Sequence, residues 1–78
     1  MYLVVLRKTL DTPQAAEYAY GPSEEGMGRL RLDKTSGEIS LLEVAPGDND
    51  QALFTRAAWK IEEHWEEGQL PEETCWAS

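Results

Sequence analysis

Cysteine, histidine and asparagine each occur only once in this 78-residue chain. A single cysteine, Cys75, excludes an intramolecular disulfide and therefore a disulfide-stapled secreted scaffold. No apolar run approaches the roughly 18 residues that a membrane-spanning helix needs. The N-terminus also lacks a signal-peptide pattern, because Arg7 and Lys8 follow the apolar stretch instead of preceding it. We therefore expect a cytoplasmic protein.

Basic residues are missing from the last quarter of the chain. Residues 1–60 contain nine acids and seven bases, whereas residues 61–78 contain six acids and no base, so most of the net charge of −8 lies after residue 60. Nucleic acids and anionic membranes both bind basic surfaces. The charge therefore argues against nucleic acid and membrane as partners and favours a basic protein partner.

The remaining composition is sufficient for one small domain spanning residues 1–78. Hydrophobic residues make up 41% of the chain, which is more than is typical of an intrinsically disordered protein. A domain of this length buries only about 60% of the surface that its unfolded chain exposes, so its core is small. A chain with so little core often gains stability by association.

Alternating apolar and polar residues, separated by turn residues, predict strands within residues 2–44. Leu30 and Leu32 are expected to face a core while Arg29 and Arg31 face away. Gly37 is expected to take the left-handed conformation in a hairpin. Both the odd- and the even-numbered residues of the first strand are apolar up to residue 6, so we expect the strand to be covered on both faces or to lie centrally. The predicted strands are 2–8, 16–20, 28–33 and 38–44.

A spacing of 3.6 residues predicts a helix over about 49–67. Phe54, Ala58, Ile61 and Trp65 recur at intervals of four, three and four residues, which places them on one helix face. These elements predict an α+β fold in the order ββββα. In this fold an antiparallel three- to four-stranded meander is followed by one long helix packed on one sheet face.

Both ends of the helix carry sequence signals. Asp48 is expected to be the N-cap, with Gln51 completing a capping box. Gly68 is expected at C′ and Leu70 at C″, where it makes a hydrophobic contact. Residues 69–78 are expected to form an extended tail from which Trp76 packs back onto the domain.

One tryptophan falls on the wrong side of this helix. At about 100° per residue, Trp59 lies roughly opposite the buried stripe centred on Ile61. Its neighbours there are carboxylates and one arginine. Either the tail covers Trp59 through Cys75 and Trp76, or Trp59 is an exposed binding hot spot. The predicted partner-binding residues are Trp59, Glu62, Glu63, Glu66, Glu67 and Arg56.

Chemistry at other residues has weaker support, and we predict no enzyme activity, cofactor or metal. His64 and Glu67 offer only two metal ligands, whereas a catalytic zinc site uses three. Cys75 and His64 lack a flanking motif for a nucleophile and its base. Tyr18, Tyr20, Arg29 and Arg31 are a further alternative, an aromatic and basic surface for single-stranded nucleic acid.

The size, the acidity and the stretch from Trp59 to Glu67 resemble the small acidic immunity proteins of bacterial nuclease bacteriocins and contact-dependent inhibition systems. The predicted ββββα order differs from the all-helical immunity proteins, so no residue roles are carried over. The resemblance implies an inhibitor or antitoxin that binds and blocks a basic partner such as a nuclease toxin. The alternative is a homodimeric structural or regulatory module without catalytic activity, formed through the open sheet face.

Overall fold

A computed structural model describes residues 3–77, which form a five-stranded antiparallel sheet and one α-helix. The helix packs against one face of the sheet, which confirms the predicted α+β fold. Tyr2 in the predicted first strand and Ser78 in the predicted tail lie outside the described residues. The elements are β1 (Leu3–Asp11), β2 (Ala15–Gly21), β3 (Gly28–Asp33), β4 (Ile39–Glu43), α1 (Ala52–Glu67) and β5 (Glu73–Ala77).

The strands lie in the order β4-β3-β2-β1-β5. The first four form a meander in which each strand pairs antiparallel with its neighbour along the chain. The predicted number of three to four strands is too low, because residues 73–77 of the tail pair antiparallel with β1. As a result β1 lies between two strands, which is one of the two environments expected from its apolar sequence.

The strand register sorts the side chains into a buried face and an open face. Arg29 and Arg31 are exposed on the open face, as their alternation with two buried leucines predicts. On the other side, α1 covers the core with Ala57 and Ile61. The fully buried strand side chains of this core are Val4, Leu6, Ala16, Tyr18, Tyr20, Leu30 and Leu32.

The helix begins at Ala52, later than predicted. Gln51 occupies the N-cap position in a left-handed conformation (φ 58°) and makes no side-chain cap. Asp48 still caps the helix, although it lies three residues before the N-cap position. Its buried carboxylate accepts hydrogen bonds from the amides of Leu53 at 2.9 Å and Phe54 at 3.1 Å. The capping box is therefore wrong, because the chain turns between Asp48 and the helix and presents the carboxylate to its first turn.

The helix ends as predicted at Gly68, which is left-handed (φ 80°). The Gly68 amide donates to the carbonyl of Trp65 and the Gln69 amide donates to the carbonyl of His64, both at 3.0 Å. This pair of bonds is a Schellman motif. The C″ residue is thus Gln69 and not Leu70, which lies one residue further on and packs against the core.

Two glycines are required by close approaches in the β3–β4 region. A Cβ on Gly28 would lie 2.3 Å from the carbonyl oxygen of Glu43. Gly37 has φ +79° in the predicted hairpin, and a Cβ there would lie 2.9 Å from Nε1 of Trp65. Glycine lets two backbone segments meet at position 28 and lets the Trp65 ring approach the backbone at position 37, where any larger residue would force them apart.

Within residues 3–77 the single helix has neither the length nor the apolarity that crossing a membrane requires.

Candidate partner-binding surface

The two sides of α1 have very different environments. Ala57 and Ile61 are fully buried against the sheet, whereas Trp59, midway between them, is 55% exposed. Two residues along a helix correspond to about 200°, so the core contacts of Ala57 and Ile61 direct Trp59 outward. Trp59 is the most exposed of the large hydrophobic side chains in the described chain.

Four carboxylates lie on the same side of the helix as Trp59 or at its margin, and all four are exposed. Glu62, Glu63 and Glu66 follow Trp59 by three, four and seven residues, which makes them its neighbours on the helix surface. Glu67 lies further round, with Oε1 3.9 Å from Nδ1 of His64. Together with Trp59 these carboxylates form what we call the Trp59 surface: Trp59, Glu62, Glu63, Glu66 and Glu67.

Few cations lie close to these carboxylates within residues 3–77. Lys60 Nζ lies 3.2 Å from Oε1 of Glu63, an exposed pair that contributes little to stability. The ion pairs found in the described part of the chain include neither Glu62 nor Glu66. The helix dipole disfavours negative charge at this C-terminal end. The Trp59 surface is therefore a negative patch around an aromatic ring, and Lys60 offsets only part of its charge.

The tail does not cover Trp59. Trp76 lies on the helix side of β5, opposite Val4 of β1, and packs against the core. Cys75 is exposed and, as the neighbour of Trp76 in a strand, points to the opposite face of the sheet. The expectation that Trp76 packs back onto the domain thus agrees with the observed contacts, whereas the alternative in which the tail covers Trp59 does not.

Arg56 makes its contacts on the flank of the helix. Its guanidinium carbon lies 5.3 Å from the centroid of the Trp76 ring, which is a cation–π distance. Its Nη1 also donates to the carbonyl of Ala52 at 3.0 Å. The residue is half-buried between helix and tail. Its predicted part in partner binding stays a prediction, whereas its contact with Trp76 connects α1 to β5.

The geometry does not assemble the alternative metal or nucleophile sites. His64 is half-buried, and its Nε2 lies 2.9 Å from Oγ1 of Thr74 on the helix side of β5. Cys75 points to the other face, so the sheet separates the thiol from the imidazole. Among residues 3–77, no group of three or more histidine, cysteine, aspartate or glutamate side chains is placed to hold a metal ion.

The aromatic and basic residues considered for nucleic-acid binding lie on opposite faces. Tyr18 and Tyr20 are fully buried beneath α1. Arg29 and Arg31 lie on the open face, where both approach Glu17. This alternative is therefore wrong in its geometry, because the strand alternation that groups the tyrosines also separates them from the arginines.

The open face of the sheet is mainly polar at its centre. Arg31 Nη1 lies 2.8 Å from Oε2 of Glu17, and Arg29 lies 3.5 Å from Glu43. Its apolar residues lie on β1, where Leu3 is 41% exposed, Val5 is half-buried and Leu10, opposite Glu17, is 40% exposed. A homodimer through this open face stays a prediction.

One charged cluster was not anticipated from the sequence. Lys8, only 9% exposed, places Nζ 2.9 Å from Oδ2 of Asp11, and Lys34 pairs with the same carboxylate. Hydrogen bonds from Lys34 and Lys8 lower the pKa of the Asp11 carboxyl. The sequence contains one indication of this cluster. Lys8 follows Val4 and Leu6 at intervals of two residues, which places it on the buried side of β1.

Tyr18 lies beside this cluster, and its hydroxyl donates to the carbonyl of Pro71. Burial raises the pKa of Tyr18 to about 12, with smaller contributions from the negative charges of Asp11 and Glu72. Such a phenol stays protonated and acts as a hydrogen-bond donor. The Tyr18 hydroxyl therefore attaches the segment between α1 and β5 to the sheet.

No protein-family model, curated protein or solved structure matches the chain.

Proposed function

We propose that this chain is a small protein-binding module that binds a basic protein through the Trp59 surface. The observation that carries the proposal is the 55% exposure of Trp59 among exposed carboxylates on a helix whose other side is fixed in the core. Tryptophan is among the residues most enriched at binding hot spots. Its large ring supplies buried area, and the surrounding carboxylates supply charge complementarity to a basic partner.

The helix also suits this role because it is held rigidly. Asp48 caps its first turn, Gly68 ends it, and Ile61 anchors its middle in the core. A preorganised surface loses little conformational entropy on binding, so more of the contact energy appears as affinity. We infer a one-to-one complex in the cytoplasm in which the module blocks its partner, as an inhibitor or antitoxin does to a nuclease toxin. In this role it needs no catalytic activity and no cofactor.

The direct test is capture of partners from a lysate of the source cells on the immobilised full chain, with Trp59→Ala run in parallel. Leu10→Ala is the matched control, because Leu10 is an exposed apolar residue at 40% that lies on β1 and not on the helix. We expect a basic protein to bind the wild-type chain and the Leu10 variant but not the Trp59 variant. Equal capture by all three would overturn the proposal.

The captured partner then allows a kinetic test of the charge. Glu62→Gln combined with Glu66→Gln keeps the side-chain shape and removes two negative charges. We expect its association rate to fall and to lose part of its salt dependence, since exposed charges steer association and are screened at about 8–10 Å in physiological salt. An association rate that neither salt nor this double variant changes contradicts an electrostatically guided complex.

A further inference from the structure

The outer edge of β5 carries backbone groups that face away from the sheet. The Lys8 amide donates to the carbonyl of Glu72 at 2.7 Å, which makes these two residues a hydrogen-bonded pair. Such pairs alternate along an antiparallel ladder. Thr74 and Trp76, opposite Leu6 and Val4, therefore direct their backbone groups towards β1. The alternate residues of β5, which are Glu73, Cys75 and Ala77, direct theirs outward.

The two edges of the sheet are not equally protected. Edge strands in native proteins are commonly shielded by bulges, prolines or lysines. At the other edge, β4 has a bulge at Leu42, because Leu41 pairs with Leu30 while Glu43 pairs with Arg29. β5 pairs with β1 without a register shift and contains neither proline nor lysine. Among the described strands, β5 thus offers the regular edge to which another strand can add.

We propose that this edge pairs antiparallel with β5 of a second copy of the chain, about a two-fold axis at Cys75. The register would place Glu73 opposite Ala77 of the other copy, Thr74 opposite Trp76, and Cys75 opposite its own equivalent. The outward residues would form hydrogen-bonded pairs, giving about six backbone bonds across the interface. The five-stranded sheets of the two copies would become one continuous sheet.

Self-pairing is favoured because this short strand is complementary to itself. Its single charged residue, Glu73, meets a small neutral residue, so no like charges oppose each other. Threonine opposite tryptophan forms a favourable cross-strand pair on the helix side, where it would cover the half-buried Trp76. An acidic or proline-rich strand from another protein would lack this match.

The symmetry has a consequence for binding. A two-fold axis perpendicular to a continuous sheet keeps both helices on the same side. The two Trp59 surfaces would then face the same direction, so each copy could bind its own partner molecule on the same side of the sheet. This dimer does not depend on the proposed function, because it forms through β5 whether or not the Trp59 surface binds a protein.

The experiment is sedimentation equilibrium of the full chain under reducing conditions, over a range of concentrations. Cys75→Pro removes an outward amide that β1 does not use, whereas Cys75→Ala keeps it. We expect a concentration-dependent dimer for the wild type and for Cys75→Ala, and a monomer for Cys75→Pro with an unchanged circular dichroism spectrum. A wild-type chain that stays monomeric at its highest soluble concentration overturns the proposal.

A second pair of variants does not rely on proline being tolerated. Ala77→Glu would place like charges opposite Glu73 twice in the dimer, and Ala77→Lys would place opposite charges there. We expect the dissociation constant to rise roughly tenfold in the first variant and to fall in the second. Equal constants for both variants contradict the pairing.

Arg31→Glu tests the competing open-face dimer, because Arg31 lies at the centre of that face and away from β5. A dimer that this variant abolishes and Cys75→Pro leaves intact belongs to the open face and overturns the edge pairing.

Discussion

The hydroxyl of Tyr18 donates a hydrogen bond to the carbonyl of Pro71, 53 residues further along the chain. This bond joins the centre of the sheet to the segment that leads from α1 into β5. It lies close to the pairing of β5 with β1, which brings the C-terminal segment into the sheet. The position of the fifth strand therefore depends on a buried phenol as well as on backbone pairing.

Stability should fall at alkaline pH because of this phenol. The folded chain holds the Tyr18 proton up to a pKa of about 12, whereas the unfolded chain releases it near 10. The folded state binds more protons between these values, so the stabilisation present below pH 10 is lost as pH rises towards 12, by about 2 kcal/mol. Burial also raises the pKa of Tyr20, which adds a loss of the same sign.

Tyr18→Phe checks this assignment in urea unfolding between pH 8 and pH 11.5. We expect the variant to lose about 1 kcal/mol at pH 8, since it lacks the bond to Pro71. Its stability should then decline less with pH than that of the wild type. A variant whose free energy of unfolding declines as steeply as the wild type's would place the alkaline sensitivity elsewhere.

Asp48→Ala should destabilise the chain by about 2 kcal/mol, because it leaves two amides of the first helical turn without their acceptor in a buried position. Asp50→Ala is the matched control: this exposed carboxylate accepts one bond, from the amide of Ala52 at 3.1 Å. Thermal unfolding measured by the helical circular dichroism signal should show the larger loss for Asp48. Equal losses would contradict a dominant cap at Asp48.

Gly28→Ala should cost about 3 kcal/mol or more, because the new Cβ would overlap the backbone of the strand beside it. Gly47→Ala is the control, since Gly47 has φ +84° but nothing within 4 Å of the added Cβ. It should lose only the roughly 1–2 kcal/mol of a left-handed alanine. Urea unfolding of both variants separates a clash from conformational strain, and a smaller loss at Gly28 than at Gly47 would exclude the clash.

Trp59 should dominate the quenching of tryptophan fluorescence by acrylamide. Trp65 and Trp76 are half-buried, whereas Trp59 is 55% exposed. We expect Trp59→Phe to remove most of the accessible, red-shifted emission and to change the free energy of unfolding by no more than about 0.5 kcal/mol. Trp76→Phe should leave that emission in place. The reverse pattern would mean that Trp59 is covered in solution.

Much of the candidate site follows from local spacing. The 3.6-residue period placed Ile61 in the core and Trp59 outside it, because the apolar residues that recur with this period form the side of the helix that faces the core. The exposure of the carboxylates from Glu62 to Glu67 follows from the same phase. The contact of Arg56 with Trp76 does not, since it joins residues whose distance depends on where the tail returns.

The sequence alone determined the elements whose signals are local: the four strands of the meander, the hairpin glycine Gly37 and the end of the helix at Gly68. Only the tertiary structure decided that the tail is a fifth strand, because its five residues acquire strand conformation by pairing with the distant β1. It also decided that Asp48 caps the helix from outside the N-cap position, which depends on the turn between them. The spacing of apolar residues along a helix or strand shows which side of it is buried. Pairing between distant strands depends instead on closing the loop between them and on backbone groups, which are the same for nearly every residue type.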